Sequence, residues 1–426
     1  MQDWLIRGGT LLEPVSGSSR CADIYIERGR IAAIGRNLEV AGVQELDARK
    51  RFVSPGWMDM HVHLREPGFE HKETIETGCR AAAFGGFTAV ACQPNTKPPV
   101  DSIEVVQAIR KRAAGLPVDV YPIACVSKGR AGAELAPFAE LAASGAVAFS
   151  DDGSPVQNGS LMRRALEYAA MLDRPIINHL EDMTMGTKGH MNEGTVSTRL
   201  GIVPVPALSE ESMLARDLLL TEHAGGCLHV PHISTAASVD LVRQAKAKGI
   251  NVTAEVCTHH FALTDEAVEE SGFSTATKMH PPLRTASDVE GIKRGLRDGT
   301  IDAICTDHAP HASFEKDVEF TRAPFGITGL ETAWGLTGRH IVAEGVLSVA
   351  AAVFKLCVAP RRILRIPVPE IREGAPANLT VFDATTEWIF GTRHIRSKSS
   401  NTPFIGTAMT GKAWAVYNNG QLVSNA

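Results

Sequence analysis

Between residues about 55 and 365 one unit repeats: a short apolar run that reads as a buried strand, a polar loop, then an amphipathic stretch of helical period. The strand candidates end in HVHLR, AVACQPN, PIACVSK, AFSDDG, PIINHLED, HVPHIST, TAEVCTHH and AICTDHAP, and SEESMLARDLLLTEHAGG and SVDLVRQAKAKG are among the helical stretches between them. Strands this short and apolar suit parallel pairing with both faces covered. Eight alternations predict an α/β fold, a (β/α)8 TIM-like barrel over 55–365, with a doubly wound open sheet as the structural alternative. Residues 1–54 differ: WLIRGGTLL, ADIYIERG and RIAAIG are separated by Gly and charged turns, the texture of a small antiparallel β unit. Residues 366–426 look alike, with ANLTVFD, AWAVYNNG and QLVS and a hairpin signal at Asn419-Gly420, so both ends are expected to build one sheet.

The polar residues are not spread evenly over the repeat. Nearly every candidate strand starts apolar and ends in His, Asp, Asn or Arg, and in a barrel those ends gather at one rim, where such folds place their chemistry. The clearest case is MDMHVHLREPG, with His61, His63 and Arg65 at every second position and therefore on one face of a strand. Paired imidazoles beside a cation make poor core packing, because each ring nitrogen needs a partner, but they can form two arms of a metal site. In chain order the other candidates are Asp151 or Asp152 in SDDG, His179 in INHLED, His229 or His232 in LHVPHIS, and Asp307 in CTDHAP. Taken singly, His179 reads as a hydrogen-bonded core histidine and SDDG as an ordinary turn. Their common place in successive units shifts the reading to a metal centre of four imidazoles and two carboxylates.

Such a set could hold two divalent cations, zinc first among them, with cobalt, manganese or nickel able to substitute. Two metals with a bridging hydroxide supply a nucleophile at neutral pH and polarise a carbonyl. Asp307, at the last strand, is placed to take the proton and pass it to a leaving nitrogen, so the implied chemistry is hydrolysis, or the reverse condensation, of an amide-like bond. There is no G-x-S-x-G elbow to suggest a seryl nucleophile. The net charge of −5 gives no reason to expect nucleic acid or an anionic membrane as partner, so a small-molecule substrate is expected. The eight cysteines show no C-x-x-C pair, which fits reduced thiols in a cytoplasmic protein. No secretion signal or membrane-spanning stretch is read from the chain.

Together MDMHVHLREPG, CQPNTKPPVD, AFSDDGSPV, NHLED, KMHPPLR, ICTDHAPH and RAPFGITGLET resemble the bacterial type I dihydroorotases of the amidohydrolase superfamily, over nearly the whole chain. The resemblance implies a barrel with an added small β-sandwich domain, and reversible interconversion of L-dihydroorotate and N-carbamoyl-L-aspartate in pyrimidine (UMP) biosynthesis. It implies two zinc ions per subunit: His61, His63 and Asp307 on one, His179 and His232 on the other, with Asp152 and a hydroxide bridging. It thereby selects Asp152 over Asp151 and His232 over His229, which spacing leaves open, and makes Asp307 the acid-base residue. It also implies that Arg65, Asn95 and His311 clamp the substrate α-carboxylate and that Phe325 and Gly326 meet the ring. A homodimer, and association with aspartate transcarbamoylase, belong to the same expectation.

One position departs from the family pattern. Where the family reads N-P-P-L-R this chain has His280 before Pro281, so an imidazole replaces the amide that contacts substrate. Two rival readings stand beside the main one: a hydantoinase or allantoinase acting on another cyclic amide, and a noncatalytic partner of aspartate transcarbamoylase. The stretch 183–203, outside clear periodicity, is expected to be a mobile loop.

Overall fold

A computed structural model of the chain describes residues 2–186 and 188–425. The first five strands are β1 (Trp4–Leu12), β2 (Ser19–Glu27), β3 (Arg30–Gly35), β4 (Gln44–Asp47) and β5 (Phe52–Pro55). Eight short parallel strands alternate with helices in the middle of the chain: β6 (Trp57–Val62), β7 (Phe87–Cys92), β8 (Asp119–Pro122), β9 (Phe149–Ser150), β10 (Ile176–Ile177), β13 (Leu228–Val230), β14 (Val252–Cys257) and β15 (Ala303–Cys305). Between them the two-residue strands β11 (Met191–Asn192) and β12 (Pro204–Val205) pair with each other, and β16 (Leu379–Ile389), β17 (Ala408–Asn418) and β18 (Gln421–Ser424) end the chain.

The parallel strands lie in two sheets, β6-β7-β8 and β9-β10-β13-β14-β15. Single parallel bridges, Ala124 with Phe149 and Val62 with His308, join the sheets at both edges. Side chains of these strands, including Met58, Met60, Ala89, Ala91, Ile177 and Ala303, form one buried apolar cluster. The helices that follow are set by ordinary local rules. The helix Ile75–Gly85 starts where the Thr74 hydroxyl accepts from the Thr77 amide, and stops at Gly86, whose φ of 96° is open to glycine at little cost.

The two ends of the chain share one eight-stranded sheet of order β18-β17-β16-β5-β1-β2-β3, with β4 also on β1. The sheet is mixed rather than antiparallel, because β1 pairs parallel to both β4 and β5. The physical reason is that β5 must run straight on into β6, which fixes its direction; antiparallel order returns at β16, which pairs with β5. The hairpin read at Asn419-Gly420 is present: Asn418 pairs with Gln421, and both turn residues have positive φ (52° and 74°). Trp57, Trp334 and Phe382, with ring centroids 5.0 Å apart in each pair, pack the terminal sheet against the parallel strands.

The stretch 183–203 is more ordered than its lack of periodicity suggested. It holds a short helix (Met183–Gly186), β11 and the helix Thr195–Leu200, while residue 187 lies outside the described residues. Buried polar bonds fix it: Arg284 Nη1 donates to Asn192 Oδ1 (2.9 Å) and Val205 O (3.2 Å), and Asn192 Nδ2 donates to Asp265 (2.8 Å). The eight cysteines are all free thiols, and no described helix is long and apolar enough to cross a membrane.

Candidate active site

Most of the eight parallel strands deliver a polar residue at their ends to one place. β6 carries His61 and hands on to His63 and Arg65; β9 is followed by Asp151 and Asp152, β10 by His179, β13 by His232 and β15 by Asp307. A cavity of about 210 Å³ is lined by His63, Asp152, His179, His232 and Asp307, and also by Arg65, Asn95, His280, His311, Phe325 and Gly326. Of the site residues that the family resemblance selects, only His61 does not line it, being fully buried. Strand alternation brings His61 and His63 together, as expected, but β6 ends at Val62 and Arg65 has a φ of 62°. The guanidinium therefore reaches the cavity through a turn, not through period-two spacing. His232 (33°) and Asp307 (47°) share this left-handed backbone, a region that non-glycine residues occupy at some cost and that recurs at functional sites.

Asp152 and Asp307 sit among four imidazoles. His63 Nε2 lies 2.9 Å from Asp307 Oδ1 and 3.5 Å from Asp152 Oδ2. His61 Nε2 is 3.5 Å from Asp152 Oδ1 and 3.7 Å from Asp307 Oδ1. His232 Nε2 is 3.6 Å from Asp152 Oδ1, and His179 Nδ1 is 3.8 Å from the same oxygen and 3.0 Å from His232 Nε2. Burial pushes both carboxyls up, but the surrounding imidazoles outweigh it, His61 foremost at Asp152 and His63 at Asp307, and hold both below the usual carboxylate range.

The two ambiguities of the sequence have geometric counterparts. Asp151 turns away from the cavity: its Oδ1 accepts from the amides of Val126 (2.9 Å) and Ser127 (3.1 Å), and its Oδ2 from the Ser127 hydroxyl. His229 lies inside β13, with Nδ1 2.8 Å from Thr253 Oγ1 and Nε2 3.4 Å from Glu255 Oε2. Neither lines the cavity.

The cluster fits a divalent cation. His61 Nε2, His179 Nε2, His232 Nδ1 and Asp152 Oδ1 are buried with no hydrogen-bond partner among the described residues, a costly state for polar atoms unless something else engages them. Ligand atoms of His61, His63 and Asp307, and of His61, Asp152 and His232, lie within 4.8 Å of one another, a nitrogen and oxygen set of the kind that binds zinc and related ions.

The other side of the cavity is cationic. Arg65, 9% exposed, donates from Nε to Pro310 O (3.1 Å), and its Nη2 is 3.4 Å from His311 Nε2. No carboxylate among the described residues lies within 4 Å of this guanidinium. His311 Nε2 also donates to Phe325 O (2.8 Å), and burial pushes this imidazole down to about 2, so it stays neutral. Asn95 lines the cavity while its Oδ1 accepts from His63 Nδ1 at 2.8 Å, a tie to the imidazole cluster that sequence did not suggest. His280 Nε2 lies 3.0 Å from Glu181 Oε2, and its ring packs on His179 (5.1 Å) and Phe325 (4.9 Å). Gly326 has a φ of 121°, and a Cβ there would fall 2.7 Å from Ala309 Cβ, so only glycine fits.

Sequence reasoning missed Glu255 and Glu181. Glu255 lies in β14, and its Oε1 accepts from His61 Nδ1 at 2.6 Å, which leaves Nε2 to face the cluster. An acid inside the otherwise apolar run TAEVC was the available signal, because a buried carboxylate requires a partner.

A family profile described as Dihydro-orotase-like matches residues 50–238. The chain is 51% identical to the protein named Dihydroorotase of Pelotomaculum thermopropionicum and 48% identical to that of Syntrophus aciditrophicus, each over 98% of both chains. Among solved structures, L-hydantoinase (dihydropyrimidinase) from Arthrobacter aurescens has the same fold, with a TM-score of 0.87 at 24% identity over 100% of this chain and 96% of that one. D-hydantoinase (dihydropyrimidinase) from Thermus sp. gives 0.81 at 25% identity, over 99% and 97%. With half its residues shared along the full length of such relatives, the chain belongs to the dihydroorotase family.

Proposed function

We propose that the chain interconverts L-dihydroorotate and N-carbamoyl-L-aspartate, the cyclic amide step of pyrimidine biosynthesis. The observation that carries this reading is Arg65, a buried guanidinium that faces the cavity without a carboxylate partner. A buried cation of this kind calls for an anion, and the α-carboxylate of dihydroorotate supplies one whereas a hydantoin ring does not. The planar fork matches a carboxylate in two parallel hydrogen bonds, with neutral His311 and the Asn95 amide beside it.

His61, His63 and Asp307 would hold one zinc ion, His179 and His232 a second, with Asp152 between them; when bound, the pair supplies Lewis-acid polarisation and a nucleophile at neutral pH. Asp307 takes up a proton on the hydrolytic path and returns it to the ring nitrogen as the amide bond breaks; cyclisation reverses the transfer. Phe325 and Gly326 border the ring, and His280, steadied by Glu181, stands where the family carries asparagine. The edge bridges between the two parallel sheets favour a closed eight-stranded barrel over 55–365; 1–54 and 366–426, which share one sheet, would be the β-sandwich domain that the family resemblance implies. The same reading makes the protein a cytoplasmic homodimer able to associate with aspartate transcarbamoylase, which chromatography with and without that partner tests.

Steady-state assays with dihydroorotate, hydantoin and allantoin, run with a metal count, test the function. Preference for dihydroorotate by orders of magnitude is expected; preference for an uncharged ring would move the chain to the hydantoinases. A folded chain that binds no metal and turns over nothing would be the noncatalytic partner.

A further inference from the structure

The segment that brings Phe325 and Gly326 to the cavity is tied down by two lysines outside the metal cluster and outside the clamp. Lys316, 9% exposed, directs its ammonium at three main-chain carbonyls: Pro324 O at 2.7 Å, Thr275 O at 3.0 Å and Lys278 O at 3.4 Å. Lys278, 2% exposed, donates to Phe320 O (2.8 Å) and Thr321 O (3.0 Å), and its Nζ lies 4.8 Å from the centre of the Phe325 ring. Neither ammonium has a carboxylate within ion-pair distance among the described residues. An ammonium carries three donors and no acceptor, so carbonyls alone can satisfy it, and here they all come from 275–278 and 320–324. Two further bonds close the arrangement: the Gly326 amide donates to Lys278 O (2.9 Å), and Thr275 Oγ1 donates to Lys316 O (2.6 Å).

The consequence reaches the clamp. Phe325 O, one residue beyond the Lys316 acceptor Pro324, is the acceptor that fixes His311, and His311 in turn touches Arg65. We propose that Lys278 and Lys316 are positioning residues that hold the Phe325–Gly326 backbone and, through Phe325 O, the His311–Arg65 pair in register for an anionic ring substrate. This inference rests on the dihydroorotase reading. It assigns the two lysines to substrate affinity and not to proton transfer, since neither lines the cavity.

The test compares Lys278→Met and Lys316→Met with the wild-type holoenzyme in dihydroorotate hydrolysis, with circular dichroism as a check on folding. Each variant is expected to raise KM about tenfold, as the lysine's hydrogen bonds to the segment's carbonyls are lost, and to change kcat less than about threefold. Lys278→Arg, which keeps donors at the same carbonyls, should recover part of the KM. In a cycle with Phe325→Ala the effects on KM should fall short of additive, because all act through one segment. Should Lys316→Met fail to fold, Lys278→Met carries the test, as it leaves the Lys316 bonds in place. Wild-type KM in a folded Lys278→Met variant, or a loss confined to kcat, would overturn the inference. Absence of dihydroorotate turnover in the wild type would instead overturn the function on which it rests.

Discussion

Replacing Glu255 by glutamine tests whether the metal cluster is held from behind. Glu255 is fully buried in β14, with Oε1 2.6 Å from His61 Nδ1 and Oε2 3.4 Å from His229 Nε2. Burial pushes this carboxyl up, but the two imidazoles more than offset it and bring it from the ordinary 4.5 down to about 2. The displacement favours the carboxylate in the folded protein. Because the folded value is the lower one, that stabilisation is complete above about 4.5 and is lost only as pH falls through about 2, so it is intact at neutral pH. In Glu255→Gln an amide oxygen can still accept from His61 Nδ1, so the hydrogen bond survives while the charge that makes the imidazole a better donor to metal is gone. The expected loss of metal affinity is about ten- to a hundredfold. Glu255→Leu should cost more, since His61 Nδ1 is then buried without an acceptor, a penalty of about 1–3 kcal/mol. Competition between apo-protein and a chromophoric chelator reads the apparent Kd, and thermal unfolding reports the stability. Wild-type metal affinity in Glu255→Gln would refute the reasoning, because the carboxylate would then be a packing element only.

Three other substitutions have separable outcomes. Asp307→Asn should keep the fold and most metal binding but lower kcat about a hundredfold or more, as Asp152, the other carboxylate lining the cavity, would be committed between the two metals; near-normal turnover would remove Asp307 from that role. Arg65→Lys replaces a two-pronged contact with a point charge and should raise KM for dihydroorotate about tenfold with little change in kcat, whereas an unchanged KM would exclude Arg65 from the clamp. Lys316 bears on stability: burial pushes its ammonium down from 10.5 to about 7. The unfolded chain then holds the extra proton, so the stability contributed by this group is full above 10.5 and lost as pH falls through about 7. Urea midpoints should therefore rise more steeply between pH 7 and 9 in the wild type than in Lys316→Met; parallel curves would contradict the assignment.

What could be read from sequence, and what could not, follows from where the constraints lie. His61, His63, His179 and Asp307 stood out as candidates because the strand-helix repeat gathers the residues at each strand end at one rim, so position within the unit stands in for three-dimensional proximity. The choice between Asp151 and Asp152 was not legible from spacing, because it depends on the turn after β9, where the amides of Val126 and Ser127 claim the first carboxylate. Period-two reasoning also misplaced the route of Arg65, since a positive φ ends the extended run before it. The layer behind the site was harder still. Glu255 sits mid-strand, where a repeat-based reading expects apolar filling, and Lys278 and Lys316 bond only to main-chain carbonyls, which every residue possesses and no motif records. Rare residue types at repeated positions therefore reveal the groups that face a substrate, whereas those that hold them in place emerge only when each buried charge is asked for its partner.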